Sequence, residues 1–224
     1  YTNDTVEASP KGPLSVARYS LAATSNSSFG YFGGGGPGPL STVDRIDYSN
    51  DTATASVKGP LSYGRDNIAA TGNANFGYFG AGPSPSAALS TVDRVDYSND
   101  TATASVRGPL SVNNYAMGAT SSRANGIPTE NIINYALGTL GTPNTGYFGG
   151  GVSKSTVDRI DYSNDTATAA AKGPLNVAGY PYDATSNGFF GYFAGGGPSP
   201  SNSSVQRIDY FNDTVTASVR GPLT

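Results

Sequence analysis

Short runs of alternating apolar and polar residues, separated by turn chemistry, make up this chain. The second of its repeating units shows the pattern best, with "NIAAT" (67–71), "NFGYFGA" (75–81), "STVDRVDY" (90–97) and "TATASVR" (101–107). Val, Ile, Thr, Tyr and Phe fill these runs, while "GPSPS" and "SND" stand between them and "GPLS" leads to the next unit. Period-2 runs of this length bounded by Gly, Pro, Asn and Ser predict four β-strands per unit. Asn and Asp tolerate left-handed backbone and bond their own chain, so "SND" predicts a tight hairpin between the third and fourth strands.

The pattern repeats. "YSNDTATASVKGPLS" at 48–62 recurs almost verbatim at 97–111 and 162–175, and more loosely at 1–15 and 210–224. Its opening tyrosine stands at Tyr1, Tyr48, Tyr97, Tyr162 and Tyr210, in steps of 47, 49, 65 and 48 residues. From that Tyr to the Gly of "GPL" is always 11 residues, and from there to the Gly of "GYF" is 18 in three units and 38 in the third. The stretch from "GYF" to "VDR" or "VQR" drifts between 11 and 15. Fixed spacing marks paired strands, whereas drift marks a surface loop that tolerates insertion. A four-stranded unit of this length in tandem predicts an all-β chain of β-propeller blades, the alternative being an open β-solenoid. The expected boundaries are 1–13 for the end of a truncated blade, 14–59 for blade 1, 60–108 for blade 2, 109–173 for blade 3 and 174–224 for blade 4.

Composition agrees with many short strands: 30 Gly and 15 Pro in 224 residues, 13% charged, 11% aromatic. There is no Cys, hence neither a disulfide framework nor a thiolate metal site. A net charge of −3, with 13 Lys and Arg spread through the repeats, argues against nucleic acid as a partner. No apolar run is long enough for a membrane span. Residue 1 is a Tyr inside a repeat phrase, which suggests a piece of something longer or a processed product.

Each unit resembles a kelch repeat, with an aromatic strand ending in glycines ("GYFGGGG" 30–36, "GYFGAG" 77–82, "GYFGGG" 146–151, "GYFAGGG" 191–197), a variable loop, and a strand ending in Tyr. Arg18 and Arg65 fit the pre-strand Arg of that pattern. Asn114 and Gly179 stand there in the later units, and small residues such as Ala55 and Ala104 replace the kelch Trp. The longer wording "GYFGGG…STVDRIDYSNDTATASVRGPLS" resembles tandem-repeat structural proteins of tailed phages of marine cyanobacteria. That resemblance implies a virion component in a tail or fibre, with other virion subunits or copies of itself as partners, and no cofactor.

Several motifs compete for chemistry. Asp44, Arg45 and Asp47 recur as Asp93, Arg94 and Asp96 and as Asp158, Arg159 and Asp161, with Gln206, Arg207 and Asp209 in the fourth unit. An acid pair copied into three blades, with one acid kept in the fourth, predicts a polar seam in which each Arg bonds acids of its own or the next blade, because a catalytic pair sits in one asymmetric place. "DYSNDT" begins like a calcium loop but lacks the turn Gly and the closing Glu, so a turn is expected and no metal. "GGGGPG" is not followed by Lys-Ser/Thr or a helix, which excludes a phosphate cradle. Without His or Cys a Ser–His or Cys–His nucleophile is excluded, and no enzyme is expected.

One feature breaks the symmetry. The 20 extra residues of the third unit, about 121–140, contain "IINYALGTL" (132–140), a second copy of the first-strand phrase "VNNYAMGAT" (112–120). One copy is expected to project and carry Arg123, Asn125, Glu130 and Asn131 as a polar binding surface. Tyr115 and Tyr135 would stack on sugar rings if a host cell-surface glycan is bound. The expected function is a non-enzymatic virion structural protein that mediates assembly and host-surface attachment. The alternative is a carbohydrate-active or calcium-dependent glycan-binding adhesin on the same fold.

Overall fold

The computed structural model describes residues 7–83, 87–122, 144–179, 183–196 and 203–223. They form four antiparallel sheets of four strands each, every sheet built from consecutive strands. The first sheet contains β1 (Ala22–Ser25), β2 (Phe29–Gly33), β3 (Val43–Asp47) and β4 (Ser56–Lys58). The second contains β5 (Ala69–Gly72), β6 (Phe76–Gly80), β7 (Val92–Asp96) and β8 (Ser105–Arg107). The third contains β9 (Gly118–Ser121), β10 (Thr145–Gly149), β11 (Val157–Asp161) and β12 (Ala170–Ala171). The fourth contains β13 (Asp183–Ser186), β14 (Phe190–Ala194), β15 (Val205–Asp209) and β16 (Ser218–Arg220). We call these sheets blades 1 to 4.

Register is the same in every blade. Tyr31 of β2 lies opposite Arg45 of β3, as Tyr78 does opposite Arg94, Tyr147 opposite Arg159 and Tyr192 opposite Arg207. Successive blades pack through their first strands, β1 on β5, β5 on β9 and β9 on β13. The hydrophobic core is therefore divided into three, one cluster for each pair of neighbouring blades. Tyr31, Val43, Leu61, Phe79 and Tyr97, for example, share the cluster between blades 1 and 2. Fourth strands lie at the outer edge and keep Val57, Val106 and Val219 exposed.

One local expectation is corrected. The third and fourth strands are not joined by a tight hairpin across "SND". Instead Asp47 and Asp96 accept the amide hydrogens of Ser49 and Ser98 at 2.9 Å and start a single 3-10 turn, and a further loop precedes the fourth strand. An Asp that bonds the chain two residues on satisfies a turn without left-handed backbone. In the third unit the first copy of the duplicated phrase supplies β9, and Ser122 still bonds Thr145.

Candidate functional site

The repeated phrase is spent on the seams between blades. The carboxylate of Asp165, in the "SND" turn of blade 3, accepts the Tyr78 hydroxyl of blade 2 at 2.8 Å and Arg94 at 2.8 Å. Asp100 receives Tyr31 at 3.0 Å and Arg45 at 2.7 Å, and Asp213 receives Tyr147 at 2.9 Å and Arg159 at 2.8 Å. Lys58 and Arg107, which end β4 and β8, and Lys172, which follows β12, complete these three clusters. Arg45, Arg94 and Arg159 thus pair with the turn acid of the following blade, and not with the acids of their own "DRID". Arg207 of the last blade lies over the Phe190 ring at 4.1 Å.

The other motif residues divide into separate tasks. Asp44 and Asp93 are fully buried and bind Arg18 at 2.7 Å and Arg65 at 2.6 Å, within their own blades. The Arg65 guanidinium also donates to the Thr91 and Phe79 carbonyls, tying the pre-strand loop to β6 and β7. Asp158 has no such arginine among the described residues: Asn114 occupies that position and donates to the Gly150 carbonyl, and Asp158 accepts the Ser111 amide at 3.1 Å. Burial outweighs the Ser111 hydrogen bonds and the Lys154 charge and pushes the Asp158 carboxyl up, and its Oδ1 has no hydrogen-bond partner among the described residues. In blade 4 both charges are gone, Gly179 replacing the base and Gln206 the acid, and Gln206 accepts the Val177 amide at 3.0 Å. Asp47, Asp96, Asp161 and Asp209 cap turns by accepting backbone amides. Hydrogen bonds from Ser49 hold the Asp47 carboxyl below its ordinary value.

Tyrosines and threonines line the seams beside these charges. Tyr97 stacks on Tyr31 with ring centroids 4.6 Å apart, as Tyr162 does on Tyr78 and Tyr210 on Tyr147 at 4.8 Å. Each of these three places its hydroxyl 2.9 Å from a threonine of the preceding blade, Thr24, Thr71 or Thr120. Burial pushes the Tyr162 hydroxyl up to about 12 and raises those of Tyr97 and Tyr210 still further.

Glycines set how closely the blades approach. A Cβ on Gly33, Gly80 or Gly149, which end the second strands, would lie 2.6–2.7 Å from Phe79, Phe148 or Phe193 of the next blade. The Gly of "GPL" meets a harder limit, since a Cβ on Gly59 would lie 1.9 Å from the Ala102 carbonyl oxygen and one on Gly108 1.7 Å from that of Ala167. These glycines donate to the carbonyls of Asp100 and Asp165, and the prolines that follow accept from Ala104 and Ala169. The strap so formed covers Ala55, Ala104, Ala169 and Ala217, all buried, which is why no larger residue stands there. "GGGG" has a similar use: the Gly35 amide donates to the Arg65 carbonyl of the next blade.

Of the residues expected to bind a ligand, Tyr115 lies half-buried ahead of β9, its carbonyl accepting the Val152 amide. Arg123, Asn125, Glu130, Asn131 and Tyr135 lie outside the described residues. Sequence reasoning missed Asp100, Asp165 and Asp213 as the seam acceptors, although their invariant place 3 residues after the repeat Tyr is visible in the chain. Among the described residues no group of three or more acidic, His or Cys side chains is placed to hold a metal ion. No helix among them is long and apolar enough to cross a membrane.

Tandem four-stranded antiparallel blades packed through their first strands define a β-propeller architecture. No protein-family model matches the chain, and no curated protein does. Among solved structures, that of YjhT is similar with a TM-score of 0.70, covering 96% of this chain and 68% of the other at 11% identity. At that identity the likeness carries the propeller fold alone.

Proposed function

We propose that the protein is a non-enzymatic structural and binding module of a tailed-phage particle, a tail or fibre component that serves assembly and attachment to the host surface. The observation that carries the non-enzymatic reading is the use made of the repeated acids. Asp44 and Asp93 are bound by arginines, Asp100, Asp165 and Asp213 by Tyr and Arg of the preceding blade, and Asp47, Asp96, Asp161 and Asp209 by turn amides. A catalytic acid pair needs one buried group and one charged group converging on a substrate-sized space. Here Asp100, Asp165 and Asp213 are held by the preceding blade and the other acids named by partners within their own blades. The virion reading rests on the wording of the repeats, and attachment rests on the polar insertion of the third unit.

Labelled protein incubated with host cells tests this reading. Saturable binding is expected, and deletion of residues 123–131 should weaken it while leaving the circular dichroism of the sheets unchanged. Cleavage of a cell-surface glycan by the purified protein would overturn the non-enzymatic assignment. Binding lost on chelation and restored by calcium would favour the calcium-dependent adhesin instead.

A further inference from the structure

A cleft of about 360 Å³ opens where the turns of blades 1 and 2 meet. The β1–β2 turn supplies Asn26, the β5–β6 turn Asn75 and Phe76, and the turn after β7 Asp96, Tyr97 and Ser98. Its lining is held in place by the protein. Asn26 Oδ1 accepts the Ser28 and Phe29 amides at 2.9 and 2.8 Å, and Asn73 Oδ1 accepts those of Asn75 and Phe76 at 2.9 Å. Asp96 Oδ1 accepts the Ser98 amide at 2.9 Å and its hydroxyl at 2.7 Å. Tyr97 is fixed by its stacking on Tyr31 and by Thr24, 2.9 Å from its hydroxyl. Three groups are left over: Asn26 Nδ2, the side-chain amide of Asn75 and Asp96 Oδ2 make no hydrogen bond among the described residues.

The fold does not require this lining. In blade 4 Phe189 and Phe211 hold the places of Asn75 and Ser98. The Phe189 carbonyl accepts the Tyr210 amide as the Asn75 carbonyl accepts that of Tyr97, and the Phe211 amide donates to Asp209 as that of Ser98 does to Asp96. The same turns therefore form around two phenyl rings 6.3 Å apart, and folding does not explain the polar side chains of blade 2.

We infer that this cleft binds a neutral sugar through its hydroxyls. A hydroxyl both donates and accepts, and the cleft sets donors on Asn26 and Asn75 beside acceptors on Asn75 and Asp96. Its volume lies within the range of about 300–1,000 Å³ usual for small-molecule sites. The Phe76 ring, with the Arg94 guanidinium 4.2 Å over one face, adds an apolar wall for the C–H groups of a sugar. Other ligand classes fit less well. An anion would meet the Asp96 carboxylate, which hydrogen bonds from Ser98 hold below its ordinary value and so charged, with no Lys or Arg in the lining. A metal ion would find one carboxylate in a cleft where its other ligands would be neutral. An apolar ligand would strip water from the amides and the carboxylate and give them no partner. Since the cleft is built from the first two units, and attachment was rested on the third, the inference stands whether or not the chain binds cells.

Titration of the isotope-labelled full chain by NMR tests it, with glucose, galactose, mannose and N-acetylglucosamine added one at a time to tens of millimolar. At least one sugar should shift the side-chain amides of Asn26 and Asn75 and the Ser98 amide saturably, while calcium chloride and sodium phosphate leave them in place. Asn75→Ala and Asp96→Asn should each weaken that sugar about tenfold, the loss expected for one hydrogen bond to a ligand. Asn75→Ala should leave the urea midpoint unchanged, because that side chain bonds nothing in the protein. Deletion of residues 123–131 should leave the titration unchanged. No shift with any of these sugars would overturn the inference, as would shifts indifferent to both substitutions, shifts that vanish with the deletion, or a stronger response to calcium. Cell binding without sugar shifts would remove this site and keep the attachment reading; sugar shifts without cell binding would do the reverse.

Discussion

Replacing Asp165 by Ala should cost far more stability than the same change at Asp51, although both acids occupy the same place in the repeat. Asp165 Oδ2 receives the Tyr78 hydroxyl at 2.8 Å and Arg94 at 2.8 Å, with Arg107 at 3.6 Å. Its removal leaves two guanidinium groups, each about a fifth exposed, and a buried phenol hydroxyl without an acceptor. Breaking a fully buried pair costs about 3–5 kcal/mol. Partial access of water to the two arginines lowers this to about 2–4 kcal/mol. Asp51 is 40% exposed and has a single lysine, also half exposed, so its loss should cost about 0–1 kcal/mol. Urea unfolding followed by circular dichroism and tyrosine fluorescence measures both. Asp165→Ala should also broaden or split the transition, because the damaged seam joins blades 1 and 2 to blades 3 and 4. Equal losses at Asp51 and Asp165 would refute the assignment of the turn acid as the bond between blades.

Other tests address the strap, the lone acid and the tyrosines. Gly108→Ala should destabilise by at least about 2 kcal/mol in thermal melts, its Cβ being directed at the Ala167 carbonyl oxygen, whereas Gly221→Ala should be neutral. Asp158→Asn should raise the urea midpoint at neutral pH, as the neutral Gln206 of blade 4 suggests. The folded-state Asp158 carboxyl titrates above its unfolded value, so its penalty grows as pH rises through that window and the gain from Asn should vanish in acid. For the seam tyrosines burial favours the neutral phenol, so their contribution is complete below about pH 10 and is lost as pH climbs from there towards 12. Tyrosinate absorbance should therefore appear in two steps, exposed residues first and buried ones together with loss of the sheet signal. One step near pH 10 with an intact sheet would contradict this.

Strand content, four-strand units and the propeller class were legible in the chain because each rests on local chemistry. Strands within a blade pair with their sequence neighbours, so period-2 runs, turn residues and constant spacing carry the information. The partner of each motif residue was not legible. Arg45 reaches Asp100 across 55 residues and Arg94 reaches Asp165 across 71. Since every blade carries the same phrase, spacing cannot distinguish an acid of the same blade from one of the next. Only the packing of one sheet on another decides it, by placing the turn of the following blade over the second and third strands of the preceding one. The same packing accounts for the Gly of "GPL", which reads locally as a linker residue, and for the final Gly of "GYFG", since a carbonyl oxygen and a phenyl ring of the neighbouring blade fix them. It also separates chemically identical residues: Tyr48 and Tyr97 share their local sequence, yet one stands half exposed and the other is buried, because burial belongs to the seam and not to the repeat.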